Sequence, residues 1–110
     1  MRLTDIEPMV ASIGLPYAYH AFDKNTAKAP PYIVYLSPGR DDFFADDQNY
    51  QKILNLQIEL YTKTKRYDLE ERVEAVLQEN GFVYDVTEDY IDSDGVFMIT
   101  YTMEVYINAG

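Results

Sequence analysis

The sequence predicts one α+β domain spanning residues 1–110, an antiparallel-rich sheet of about five strands packed on one face by two helices, in the order αβββαββ. Three observations predict it. Residues 96–107 place Phe97, Ile99, Tyr101, Met103, Val105 and Ile107 at every second position, and residues 50–62 alternate with Ile53 as the exception, as strands with one buried face require. Residues 5–13 and 67–80 place apolar side chains at helical spacing and stop at Gly14 and Gly81. A chain of 110 residues that is 47% hydrophobic can bury one core without staples, and is too short for two comfortable domains.

Each element has its own reasons. Thr4 and Asp5 are good N-caps, Pro8 is tolerated in a first turn, and Ile6, Met9, Val10 and Ile13 follow at helical spacing. Leu15-Pro16 forces extended chain. Tyr17–Phe22 reads as a first strand and Asp23–Pro31 as a polar turn. Pro30-Pro31 cannot sit inside a central strand, so the second strand runs Tyr32–Leu36 and closes at Ser37-Pro38-Gly39. Residues 39–49 read as an irregular acidic loop, with Phe43 and Phe44 set among four aspartates. Such a pair either folds back as a lid on the core or is offered to a partner. In strand 50–62, Leu54, Leu56, Ile58 and Leu60 share the face that should be buried. Helix 67–80 carries Leu69, Val73, Val76 and Leu77 as its apolar stripe, with Asp68, Glu70 and Glu71 at its positive end. Strand 82–91 and strand 96–107 flank Asp92-Ser93-Asp94-Gly95, which has hairpin chemistry.

Composition removes several function classes. There is no cysteine, hence no disulfide framework, thiolate zinc site or cysteine nucleophile. The formal net charge is -10, the wrong sign for a sequence-independent grip on nucleic acid. The charge is uneven: residues 1–72 hold all nine cations and a net of -2, while residues 73–110 hold eight anions and no cation. That segment serves solubility, repels DNA or attracts a basic partner. No segment approaches the ~20 apolar residues of a membrane span, and Met1-Arg2-Leu3-Thr4-Asp5 lacks the start of a signal peptide. The expectation is a protein made and kept inside a cell, or inside something assembled there.

The motifs offer no reaction. His20 is the one histidine and sits in an aromatic strand with no Ser-His-Asp pattern around it, which reads as structural or merely exposed. Ser12, Ser37 and Ser93 lie where serine serves the backbone. The pairs Asp41-Asp42 and Asp46-Asp47 have oxygen ligands for a hard cation but read more simply as solvated. Asp92-Ser93-Asp94-Gly95 starts like a calcium loop, yet its glycine comes too early and Met103 takes the twelfth position. No phosphate-cradling glycine motif is present. The expectation is a protein that is not an enzyme and holds no cofactor or metal. Eleven tyrosines, with Tyr61, Tyr84, Tyr90 and Tyr106 assigned to polar strand faces, fit an interface; ordinary strand preference for aromatics explains them equally well.

The strings Phe43-Phe44-Ala45-Asp46, the following Tyr50, Ile58-Glu59-Leu60-Tyr61-Thr62, helix Leu69–Leu77, Gly81-Phe82 and the late tyrosine-rich strand resemble small proteins of tailed bacteriophages and prophages, described as tail terminator, tail completion or head–tail joining proteins. The resemblance covers most of residues 15–107. It implies a homo-oligomeric, commonly hexameric ring that caps the tail tube and meets the head connector. The implied location is the tail–neck junction of the virion, and the bacterial host cytoplasm during assembly. It implies no catalytic residue and no cofactor. On that reading Phe43 and Phe44 meet a tube protein or a neighbouring subunit, and Lys63, Lys65 and Arg66 face an acidic surface of a neighbour. A neck must also pass DNA without holding it. One of two acidic clusters is therefore expected to line the channel: Asp41, Asp42, Asp46 and Asp47, or Glu88, Asp89, Asp92 and Asp94. The alternative is an acidic prophage-encoded inhibitor or DNA mimic that binds a basic partner; a small enzyme or ligand-binding domain is a third class.

Overall fold

The computed structural model describes residues 1–23 and 28–108. A 3-10 turn at Leu3–Asp5 leads into α1 (Ile6–Ala11), followed by β1 (Tyr17–Tyr19), β2 (Tyr32–Arg40), β3 (Phe43–Ala45), β4 (Gln48–Thr62), α2 (Tyr67–Glu79), β5 (Tyr84–Ile91) and β6 (Val96–Ile107). The sheet order is β1-β2-β4-β6-β5, with β3 paired to β4. β1 runs parallel to β2, and the other pairs are antiparallel. The chain is α+β, with six strands rather than about five.

The alternation in β4 and β6 sets the core. Antiparallel register places Leu54, Leu56, Ile58 and Leu60 opposite Val105, Met103, Tyr101 and Ile99, and all eight are buried. Ile33 and Tyr35 extend that layer on β2. Ile6, Met9, Val10 and Ile13 from the first helical segment close over it, as do Leu69, Val73 and Leu77 of α2. Each such side chain contributes roughly 1.5–3 kcal/mol by leaving water. Both helices therefore cover one face of the sheet, and no helix among the described residues covers the other.

Polar ties fix where α2 sits. Tyr101 donates its hydroxyl to Glu74 Oε2 (3.1 Å), and Tyr84 donates to Glu74 Oε1 (3.2 Å) while accepting from Gln78 Nε2 (3.0 Å). Burial and the Glu74 carboxylate push the Tyr101 phenol far above its ordinary pKa, so it stays a donor. At the other flank Arg72 Nε donates to the Ile13 carbonyl (2.7 Å) and Nη2 to the Gly14 carbonyl (3.1 Å). These bonds satisfy carbonyls left open beyond the end of α1.

Several expectations are corrected. Residues 39–49 are not an irregular loop: β2 runs on through a register shift between Leu36 and Gly39, and β3 pairs with the start of β4. The first strand stops at Tyr19, because His20 turns out of it with φ 69° while its N–H still reaches the Tyr35 carbonyl (2.8 Å). β5 begins at Tyr84 rather than at residue 82. Tyr84 and Tyr90 lie on the helix-covered side, since they pair with Met103 and Phe97. The expected turn Asp23–Pro31 falls partly outside the described residues.

Gly14 and Gly81 both have positive φ (87° and 77°), but only at Gly14 would a Cβ meet another group, Arg72 Nη2 at 2.7 Å. Gly81→Ala should cost only the backbone strain of about 1–2 kcal/mol. Gly14→Ala adds displacement of the Arg72 guanidinium and should cost more. Urea unfolding of both variants checks the order, and in an Arg72→Ala background the two costs should converge.

Candidate functional site

The acidic segment is a hairpin arm. β4 pairs with β6 only as far as Lys52–Ile107, so residues 48–51 extend past the sheet with β3 alone beside them. At the usual strand rise the overhang is about 14 Å. The molecule measures 50 × 29 × 22 Å, and its radius of gyration of 15.1 Å exceeds the ~13 Å usual for this chain length. At the tip, Ala45 pairs with Gln48 around Asp46 and Asp47, whose φ values are 52° and 61°. Two successive positive φ values are what a two-residue hairpin turn with native twist requires, and aspartate tolerates them better than most residues.

The root of the arm is held by polar bonds. Arg40 grips Asp42 through Nε–Oδ1 (3.0 Å) and Nη2–Oδ2 (2.7 Å). Asp42 Oδ1 also accepts the Ile53 N–H (2.9 Å), and the Asp42 side chain is only 6% exposed. Asp41 donates its backbone N–H to the Ile53 carbonyl (2.8 Å) and accepts Asn55 Nδ2 on Oδ2 (3.0 Å). Asp41 and Asp42 thus lock the bend between β2 and β3, whereas Asp46 and Asp47 are exposed at the tip. Between them Phe43 is 59% exposed and Phe44 66%. Neither is a lid on the core.

The cationic cluster is engaged within its own chain. Lys65 pairs with Glu70 (2.6 Å) and with Glu88, and its ammonium lies 4.7 Å from the Tyr67 ring centre. Partial desolvation opposes that charge, but the hydrogen bonds and charges of Glu70 and Glu88 outweigh it and hold the pKa up at about 12. Arg66 forks onto Asp68 with two bonds of 2.9 Å, and that hydrogen-bonded guanidinium keeps the Asp68 carboxyl below its ordinary pKa. Lys63 is exposed beyond the end of β4. A neighbour's acidic surface would therefore compete with Glu70, Glu88 and Asp68 for this segment.

The two predicted acidic clusters lie at opposite ends. The arm caps the end where β4 begins, while Asp92 and Asp94 sit in the β5–β6 turn, beside the end where Thr62 pairs with Phe97. Glu88 and Asp89 point to opposite sides of β5, Glu88 toward Lys65 and Asp89 toward the helix-free face.

That helix-free face was not singled out from sequence. Its rows read Tyr32, Tyr61, Met98, Asp89; then Val34, Glu59, Thr100, Thr87; then Leu36, Gln57, Thr102, Asp85. Asn55 and Glu104 follow, then Ile53 and Tyr106. Tyr32 stacks on Tyr61 at 4.9 Å, and Phe22 meets Tyr32 edge-on at 5.2 Å. Glu59 accepts Tyr61 Oη (2.9 Å) and Gln57 Nε2 (2.7 Å). Burial, with help from that carboxylate, pushes the Tyr61 phenol far above its ordinary pKa. The signal was present in the sequence as polar residues alternating with the core set, but only strand order shows that Glu59, Asp85 and Glu104 share a face.

His20 is exposed and contacts the Tyr19 ring at 6.4 Å. Among the described residues no three acidic or histidine side chains converge on a metal position. No helix among them is long and apolar enough to cross a membrane. Compared with known proteins, the chain matches no family model and no curated sequence.

The arm's root and tip should respond differently to mutation. Asp42→Ala strands the Arg40 guanidinium and the Ile53 N–H, a loss of about 1–3 kcal/mol. Asp46→Asn with Asp47→Gly should leave stability unchanged or raised, because Asn-Gly suits this turn. Thermal melts of the two variants check the contrast; equal effects would mean that the root does not hold the arm.

Proposed function

We propose that this chain is a structural component of a tailed phage or prophage particle, a ring-forming tail terminator or head–tail joining protein at the tail–neck junction. The observation that carries the reading is the arm, a stiffly rooted hairpin that extends past the sheet and presents Phe43 and Phe44 to solvent. Exposed aromatics are common in protein contacts, because they bury large area at small entropic loss. Ring subunits meet head to tail through two different patches, and an arm of this kind supplies one of them. The phage setting comes from the resemblance, through the Phe-Phe-Ala-Asp and Glu-Leu-Tyr-Thr strings in β3 and β4. In this role the tail tube and head connector proteins are partners, and no cofactor is needed.

The arm tip and the β5–β6 turn both carry exposed aspartates that would repel DNA over a Debye length of about 8 Å. Because they cap opposite ends of the sheet, one such cluster can line a narrow channel while the other faces away. A second reading, an acidic inhibitor of a basic protein, is favoured by the carboxylates on the helix-free face.

Phe43→Ala with Phe44→Ala tests the first reading. Both side chains are exposed, so the melting temperature should change by no more than a few degrees. Light scattering should show a ring of the unmodified 12.8 kDa chain, about six copies on the resemblance, and only smaller species for the variant. Joining of heads to tails should fail with the variant. Normal joining by it would remove the arm from the proposal.

A further inference from the structure

We propose that the helix-free face of the sheet docks an extended, arginine-rich protein segment, seated between the Tyr32–Tyr61 stack and the Asp85–Glu104 pair. This inference deepens the second reading above, whose carboxylates it shares, and is independent of the ring-forming one.

The first support is charge. The strand residues on this face include Glu59, Asp85, Asp89 and Glu104, and the register puts no lysine or arginine among them. Asp85 opposes Thr102, so it lies diagonally across from Glu104, about 7–8 Å away by strand geometry. Two exposed carboxylates at that distance repel each other only weakly, but a cation set between them is attracted by both. Neither carboxylate forms an ion pair among the described residues. Glu59 is half-buried and takes its two bonds from the neutral donors Gln57 and Tyr61.

The second support is shape. A cleft of about 940 Å³ opens where β5 stops short of the end of β6, and Gln57, Asp85, Thr102, Glu104 and Tyr106 line it. Met1 borders the cleft from the other side without pairing with either carboxylate. From Met98 to Glu104 the face runs about 20 Å, the reach of a six-residue extended segment. Glu59 lies between the two ends of that path, opposite Thr100.

The third support is the kind of cation. The acids are spread over β4, β5 and β6 rather than converged on a point, so a small ion does not match them. A planar guanidinium both pairs with carboxylates and stacks on tyrosine, and Tyr32, Tyr61 and Tyr106 supply ring surface along the path. A polyamine has no plane to stack, and an ammonium is held less well by an aromatic row.

The test is titration of the isotope-labelled full chain with a nona-arginine peptide, followed by amide chemical shifts. Nona-lysine, spermine and a neutral Gly-Ser peptide serve as the comparison probes. Nona-arginine should shift amides of residues 55–61 and 98–106 and bind more tightly than nona-lysine or spermine. Its affinity should fall with added salt, as exposed charge pairing does. Asp85→Asn with Glu104→Gln, shown folded by its own spectrum, should weaken binding about tenfold or more. Asp46→Asn with Asp47→Asn on the arm should leave it unchanged. Shifts centred on the arm or on the β5–β6 turn would overturn the proposal. So would equal binding by the Asp85/Glu104 variant, or spermine binding as tightly as nona-arginine.

Discussion

The unbroken antiparallel pairing of β4 with β6 is the constraint on which the rest depends. It runs from Lys52–Ile107 to Thr62–Phe97 without a bulge. A slip of one residue would exchange the leucines of β4 for its glutamine, asparagine and glutamate. Both helices need the leucine face, because Ile6, Val10, Leu69, Val73 and Leu77 have no other apolar layer to close on. The edge strands inherit their faces from this pair: β2 reads its register from β4 and β5 from β6. Tyr101 shows the coupling most directly. Its ring is buried in the layer, and its hydroxyl ties the layer to Glu74 on α2.

Placing both helices on one face has a consequence for the other. On that face Val34, Val96 and Thr100 are buried, and most of the remaining strand side chains are polar. Polar residues there are ordinary for a one-sided sheet. Four carboxylates with no strand-borne cation are less ordinary, because a lysine or arginine partner across the strands would stabilise them. Four of the nine cations are engaged elsewhere: Arg40 at the arm root, Arg72 beyond the end of α1, Lys65 and Arg66 around the start of α2. Those four act on the helix side and at the ends of the sheet, and the strand residues of the helix-free face include carboxylates but no lysine or arginine.

What the sequence made legible follows from how strongly each residue reports its surroundings. The long alternations of β4 and β6 report burial on one side, and both were readable almost to the residue. Helix α2 was readable for the same reason, with Gly81 in the left-handed region marking its end. The arm was not readable. Its turn uses Asp46-Asp47, where Asn-Gly or Asp-Gly would have announced a hairpin, and its strand is three residues long. Ser37-Pro38-Gly39 looked like an end because proline and glycine break strands, yet here they mark a register shift inside β2. The roles of Asp41 and Asp42 depended on Asn55 and Ile53, residues brought beside them only by the hairpin. Likewise Lys65 reads as a free cation in sequence, and its partner Glu88 arrives from a strand more than twenty residues away.

The arm and the helix-free face offer contacts of different physics. Burial of Phe43 and Phe44 would be driven by loss of apolar surface from water, which added salt does not weaken. A contact on Glu59, Asp85 and Glu104 would be driven by charge and would weaken as added salt shortens the Debye length. The arm overhangs the sheet beyond Lys52, whereas the carboxylate path lies along the body of β4 and β6, so one contact does not block the other. A subunit built in this way can hold one neighbour through an apolar reach while leaving a charged surface for a second polypeptide. The locked root makes this division possible: because Asp42 fixes the bend to Ile53, the arm holds its direction out from the body instead of folding across the face.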